Sequence, residues 1–436
     1  VALLENFQLP LFLAINLPSI LSFTCLLMII YSFGCAIFKS RATGIIAVLM
    51  FIFNASFSWW YFITKNWSND FGLLIKRLLN LKEFPAFNPY DGTLVSGGFW
   101  NLNVYTNQRH LALSLSLLFL IIFLFLRKRI KNEKFNAGAY LILGLVSGLT
   151  ALFHGVILLM LGILSPLFWF LENQKKKFFY FFVTFVLLSI PALLYLRLGG
   201  ATAVGGIKFL PGYLTAYSLT PFNFVRYWLL NLGLLMALTP LGLLLSNKKQ
   251  RLFFIFSLPI FFVGNLFSFS TDVATNHKFF NFTVVIFNLY AAYFLIRLLN
   301  FRKPNFIRFV FASVLFFFVT VSGVIDIFPV INDSYFGVPD PSHRPDIEWI
   351  SKNTAKNAVF ANSYYLFHPA SVAGRKIALG WPYFSWSAGY DTETRVKNLT
   401  HLYLSKDKNE TCMYVEKLGV DYVSLHLKIT DVNIKF

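Results

Sequence analysis

Residues 107–131 read NQRHLALSLSLLFLIIFLFLRKRIK. Between His110 and Arg127 the stretch carries no charge, and it closes on Arg127, Lys128, Arg129 and Lys131. An apolar run of this kind is long enough to enter the hydrocarbon core, and short basic clusters stay on the cytoplasmic side of an inserted helix. The other end opens on Gln108, Arg109 and His110, which the same rule places on the opposite face.

Working outward, basic clusters recur at Lys39 with Arg41, at Lys175–Lys177, at Lys248-Lys249 with Arg251, and at Arg302-Lys303 with Arg308. Ten spans are expected between them: 9–38, 43–63, 110–126, 138–151, 153–171, 178–196, 226–245, 251–268, 279–299 and 306–327. Pro18 is expected to break the first into a surface piece and a span, and His154-Gly155 to mark the turn of a tight helical hairpin. This alternation puts loops 64–109, 197–225 and 269–278, and the whole segment 328–436, outside the cytoplasm.

Composition agrees with that class. The 436 residues are 57% hydrophobic and 13% charged, against about 25% charged in soluble domains. The net charge of +19 is not a nucleic-acid signal, because the basic residues sit at the ends of apolar spans, where they meet anionic lipid. Cys25, Cys35 and Cys412 offer no metal spacing and no disulfide framework. Lys, Phe and Asn enrichment points to a bacterial plasma membrane. The start at Val1 suggests that a helix and an outer loop lie upstream.

Beyond Pro329 the composition turns polar. Asp346–Ile350 reads as a helix entered through Pro345, Ala358–Ala361 and Lys376–Leu379 read as strands, and Thr392–Leu404 reads as a helix. A further helix over Thr411–Leu418 ends at Gly419, and Asp421–Leu425 makes a third strand. The expected fold is therefore an α-helical polytopic membrane bundle of about ten transmembrane segments over residues 1–328, followed by a small extracytoplasmic α/β domain over 329–436.

Chemistry is sought on the outer side. Gln108, Arg109 and His110 open a helix there, and ionisable groups at such a position need a partner or water. Loop 269–278 adds Asp272, His277 and Lys278. Phosphate recognition is the sharper reading of these cations, and interfacial anchoring is the plainer one. Asp272 and Asp91 are the candidate catalytic carboxylates. In the tail, Arg375, Trp381, Trp386, Tyr390, Asp391 and Arg395 combine aromatic faces with polar partners, as a sugar platform does; an aromatic belt at the membrane surface, or packing of the domain onto the bundle, is the alternative. His154 in its apolar surroundings reads as a hydrogen-bonded structural residue. No Walker loop, HExxH, GxSxG or DxD motif is present.

Several stretches resemble C-type (GT-C) glycosyltransferase-like membrane proteins of bacteria and archaea. They are Asn107-Gln108-Arg109, Gly144–Gly148 running on to Phe153-His154, Trp228–Gly233, Asn276–Phe279 and Ser322–Asp326. The tail from Trp349 through Ala373-Gly374-Arg375 and Gly389-Tyr390-Asp391 to Arg395, and Leu418–Val423, fit the same pattern. The resemblance implies transfer of a sugar from a polyprenyl-phosphate carrier to an acceptor on the outer face, with Arg109, His110, His277 and Lys278 as phosphate-binding residues. In such enzymes the catalytic carboxylate usually lies in the first large outer loop, which is expected upstream of Val1. No cofactor is fixed by the sequence, and a divalent metal ion stays open beside the carboxylates. The rival readings are a transporter or flippase of lipid-linked sugars and a non-catalytic glycan-binding assembly protein. Membrane lipid and the lipid-linked sugar are the expected partners.

Overall fold

The computed structural model describes residues 7, 9, 11–53, 56–100, 102–198, 207–215, 219–300, 306–332, 344–363 and 365–425, with the backbone alone for 11, 12 and 196–198. The basic pair Arg302-Lys303 and, in loop 197–225, residues 199–206 and 216–218 lie outside these residues. The chain divides into two compact units. The first comprises residues 1–196, 208–268 and 273–333, and the second residues 197–207, 269–272 and 334–436.

The first unit is helical. Its helices are α1 (Leu11–Phe38), α2 (Arg41–Ile52), α3 (Ser58–Asn66), α4 (Phe71–Leu79), α5 (Gly97–Trp100), α6 (Asn103–Asn107), α7 (Arg109–Lys131), α8 (Ala137–Phe153), α9 (Gly155–Leu171) and α10 (Lys175–Leu198). They continue as α11 (Pro221–Leu232), α12 (Leu235–Leu244), α13 (Lys248–Leu266), α14 (His277–Leu299), α15 (Phe306–Phe318) and α16 (Val321–Ile331). Two short strands, β1 (Lys208–Phe209) and β2 (Phe267–Ser268), pair antiparallel.

Five of the described helices are long and apolar enough to cross a membrane: Leu13–Phe38, Arg109–Lys131, Lys175–Tyr195, Val273–Leu299 and Phe306–Ile331. A sixth results if α11 and α12 count as one span, although they meet at a 91° bend. The bend falls at Gly233, whose φ of 54° is one that residues with a side chain rarely adopt. The expected ten spans are not confirmed: beside this set, the described residues hold shorter apolar helices. The run 43–63 is divided, since α2 ends at Ile52 and α3 starts at Ser58. Helices α8 and α9 have 17 residues each, which at 1.5 Å per residue is about 25 Å, short of a 30 Å core. Helix α13 begins on Lys248, Lys249 and Arg251, which shortens its apolar part.

Pro18 does not break the first helix, contrary to expectation. Helix α1 runs unbroken through it for 28 residues, because proline removes only its own N–H from the ladder. His154 does end one helix and begin the next.

Helix α14 is the centre of this unit, buried continuously from Phe279 to Ala292. Close backbone contacts let its neighbours approach. A Cβ added to Gly242 in α12 would sit 2.0 Å from the Tyr290 carbonyl oxygen, and one added to Gly34 in α1 would sit 2.4 Å from Gly44 Cα in α2. Small residues at helix crossings are how apolar helices gain packing when there is no water to expel.

The second unit contains α17 (Pro345–Asn353), β3 (Val359–Ala361), α18 (Pro369–Val372), β4 (Lys376–Ile377), α19 (Pro382–Ser387), α20 (Thr392–Leu404), α21 (Lys408–Leu418) and β5 (Tyr422–Val423). The strands form one parallel sheet in the order β4-β3-β5, with Phe360 opposite Ile377 on one side and Tyr422 on the other. Ala361, Ala378, Leu379, Leu399, Leu402 and Val420 make its core. Pro345 is the first residue of α17, and Gly419 closes α21 at φ 62°.

Candidate functional site

The starts of α7, α9 and α14 come together at one end of the first unit. The ring of His110, in the first turn of α7, lies 5.1 Å from that of His154, which caps α9. Gln108, just ahead of α7, lies 3.1 Å from His277 at the start of α14. At their far ends α7 and α9 are joined again, by Lys128 and Glu172. The two helices therefore run parallel, and their positive dipole ends share the histidine end.

His154 Nδ1 accepts from the Val156 backbone N–H at 3.3 Å, so a neutral ring carries its proton on Nε2. That leaves Nε2–H as a donor. A Cβ added at the adjacent Gly155 would meet no atom within 4 Å, so the first turn of α9 faces open space. Lys278 is within electrostatic reach of His110, His154 and His277. A lysine, two imidazoles and helix N-termini together favour an anion.

His277 does not belong to that donor set, although the sequence suggested it. It is 2% exposed, stacked 4.8 Å from Phe99 at 4° between ring planes, and both its nitrogens are engaged. Asn281 donates through Nδ2 to the Phe99 carbonyl (2.8 Å), which turns its Oδ1 toward His277 Nδ1 (2.7 Å). Nδ1 must then donate, and Nε2 accepts from the Gln108 amide. His277 holds Gln108 in place instead of binding a ligand. Arg109 turns away from the cluster, and its Nη1 donates to Asn16 Oδ1 of α1 at 2.8 Å.

The candidate carboxylates are distributed differently from expectation. Both oxygens of Asp91 organise its own loop, accepting from the Phe87 N–H (2.5 Å), the Thr93 N–H (3.0 Å) and the Thr93 hydroxyl (2.8 Å). Asp91 lines a cavity of about 330 Å³ together with Tyr61, Lys65 and Glu83. Among the described residues Glu83 makes no hydrogen bond or ion pair, so Glu83 is the uncommitted carboxylate of this cavity. Asp272 groups with the second unit, where the Tyr383 hydroxyl donates to its Oδ2 at 2.6 Å. Asp326 is buried and accepts from the Ser58 hydroxyl at 3.3 Å.

Loop 64–109 is anchored by Asn231 of α11. Its Oδ1 accepts from the Ser96 N–H (2.7 Å) and Trp100 Nε1 (3.0 Å), and its Nδ2 donates to the carbonyls of Leu94 and Tyr227, both at 2.9 Å. All four of its hydrogen-bonding positions are filled.

In the second unit the polar residues expected to form a sugar platform are hydrogen-bonded within the protein. Arg375 donates to Ser351 O (2.7 Å), Thr354 O (2.9 Å) and Thr354 Oγ1 (2.9 Å), closing the end of α17. Asp391 caps α20 through the Thr394 N–H, and Arg395 donates to Ala378 O. Hydrogen bonds from Thr394 hold the Asp391 carboxyl below its ordinary range. Trp386 and Tyr390 stay exposed, while Trp381 packs beside Tyr365.

Among the described residues no three His, Cys, Asp or Glu side chains are grouped to hold a metal ion. The chain matches no protein-family model and no curated protein.

His154 is the residue that sequence reasoning set aside and the structure places in the cluster. The signal was present in the helix break after Phe153, which put an imidazole at a helix N-terminus and not in mid-span.

Proposed function

We propose that this chain is a membrane glycosyltransferase-like protein of the GT-C kind, and that the cluster of His110, His154 and Lys278, with Gln108 at its edge, receives the phosphate of a polyprenyl-phosphate-linked sugar. The observation that carries this reading is the meeting of helix starts beside a lysine and two imidazoles at one end of an apolar bundle. A phosphate on a long hydrocarbon chain suits that setting, since its tail dissolves in the bilayer while its head meets cations at a helix end. In this reading the cluster lies on the extracytoplasmic face; the basic clusters at the opposite helix ends, which favour the cytoplasmic side, support that orientation.

The chemistry asked of the site is modest. An acceptor hydroxyl attacks the anomeric carbon, its proton passes to a carboxylate, and the bond from that carbon to the phosphate oxygen breaks. Lys278 and His154 Nε2–H stabilise the charge that collects on the departing lipid phosphate. Glu83, exposed and without a hydrogen bond or ion pair among the described residues, is the carboxylate assigned to the acceptor in this reading, because Asp91 is committed to its loop.

The test is transfer from a labelled polyprenyl-phosphate sugar by purified protein. Lys278→Gln and His154→Ala are each expected to lower turnover at least tenfold, since one lost donor to a transition-state charge is worth about 10²–10³ in well-formed sites. Turnover unchanged in both variants contradicts the site. Lipid-phosphate binding without any transfer would support the carrier-binding half alone.

A further inference from the structure

A second cavity, of about 420 Å³, lies at the opposite ends of the same helices. It falls in the size range of small-molecule sites, about 300–1,000 Å³. Its deep wall is hydrocarbon and aromatic: Phe125 of α7, Leu167 and Phe168 of α9, and Leu252, Phe253 and Phe256 of α13. Its rim is charged, with Lys128, Arg129, Lys134 and Lys249 against Glu133 and Glu172.

The rim charges are not equivalent. Lys128 and Glu172 are buried and bonded to each other at 2.5 Å, so they neutralise one another. Glu133 lies near Arg127 and Lys131, at 4.0 and 3.9 Å. Arg129 gives one N–H to the Leu171 carbonyl and keeps its other donors, and among the described residues Lys134 and Lys249 make no ion pair. Three exposed cations, Arg129 and Lys134 at and just after the end of α7 and Lys249 at the start of α13, thus surround the mouth of an apolar slot.

We infer that this cavity is a binding site for one anionic phospholipid, with its phosphate between Arg129, Lys134 and Lys249 and an acyl chain between α7, α9 and α13. Charge complementarity selects the occupant. A zwitterionic lipid brings its own ammonium group to a rim already in positive excess. A free phosphate leaves the aromatic wall unfilled, and a neutral apolar molecule leaves the cations unused. The site is separate from the histidine cluster and does not depend on the function proposed above.

Basic residues near a membrane attract anionic lipid without any cavity, so the experiment must separate a slot from a charged belt. The full chain in mild detergent is mixed with equal amounts of a phosphatidylglycerol and a phosphatidylcholine of matched chains, and retained lipid is read by native mass spectrometry. One phosphatidylglycerol is expected to stay bound in preference to phosphatidylcholine by at least tenfold, and inorganic phosphate is expected not to displace it. Arg129→Gln with Lys249→Gln, both exposed positions, is expected to reduce that retention about tenfold. Leu167→Trp, which fills the slot and leaves the rim intact, is expected to reduce it as well. Equal retention of the two lipids, or retention unchanged in the double variant, overturns the inference. Loss in the double variant with normal retention in a folded Leu167→Trp protein also overturns it, in favour of a charged belt.

Discussion

The side-chain amide of Gln108 donates to Nε2 of His277 across 3.1 Å, and the orientation of Asn281 fixes the direction of that bond. His277 is therefore neutral, with its proton on Nδ1. It links the start of α14 to the residue that precedes α7, and so sets the spacing between the helix starts beside His110 and His154.

Asn281→Ala should loosen this arrangement from below. It removes the acceptor of His277 Nδ1–H and leaves the Phe99 carbonyl without its donor. One buried group left unsatisfied costs about 1–3 kcal/mol, and a loss of that size is expected in thermal or denaturant unfolding of the detergent-solubilised protein. Unchanged stability would show that the ring is held by the Phe99 stack alone.

Asn231→Leu is expected to be the more damaging change. It strands the Ser96 N–H, the Trp100 indole N–H and the Leu94 carbonyl at once, around a side chain that is fully buried. With each group worth about 1–3 kcal/mol, a destabilisation of at least about 3 kcal/mol is predicted. Limited proteolysis should show new cleavage within residues 64–109, the loop that Asn231 anchors.

The Lys128–Glu172 pair makes a prediction with two arms. Lys128→Met leaves a buried carboxylate without its cation and should cost about 3–5 kcal/mol, whereas Lys128→Met with Glu172→Leu should recover most of it. The pH dependence follows from the same contacts. Burial pushes the Glu172 carboxyl up, but hydrogen bonds from Lys128, the Gln174 N–H and Tyr140 outweigh it and hold the group below its ordinary value. A depressed carboxyl contributes stability that is complete above its unfolded value. That contribution fades as pH falls through the lower, folded value. The wild type should therefore lose stability on acidification below about pH 4.5, and the double variant should lose less.

Arg375→Ala distinguishes a structural arginine from a sugar ligand. Its guanidinium closes α17 through Ser351 and Thr354, so the variant should unfold more easily by about 1–3 kcal/mol while any glycan binding by the folded protein stays unchanged. A glycan affinity that falls with no change in stability would restore the platform reading.

The elements were easier to read in the sequence than their partners. The helix over Thr392–Leu404, the stop at Gly419 and the entry at Pro345 follow from local rules that act over a few residues, and the structure has them at those positions. The apolar run behind Arg109 and His110 is likewise a single helix to Lys131. Which face of an apolar helix meets which neighbour was not legible. A segment such as α9 is hydrophobic all round and carries no stripe that fixes its rotation. The approach of His154 to His110 is set by packing, which the sequence does not display. The internal hydrogen bonds of Arg375, Asp391 and Arg395 were hidden in the sequence for another reason. A polar residue in a loop looks the same in sequence whether it caps a helix or awaits a ligand. Ten spans are not confirmed, since the length of an apolar run alone does not show where Gly233 bends the chain or where α2 stops.

The central claim is that Lys278 and His154 bind a lipid phosphate. The most direct measurement is equilibrium binding of a short polyprenyl phosphate to the detergent-solubilised full chain, with the matching polyprenol as control. The account predicts that the phosphate binds at least tenfold more tightly than the alcohol, and that Lys278→Gln and His154→Ala each remove most of that difference while unfolding stays normal. Equal binding of phosphate and alcohol, or a preference that survives both substitutions, would contradict it.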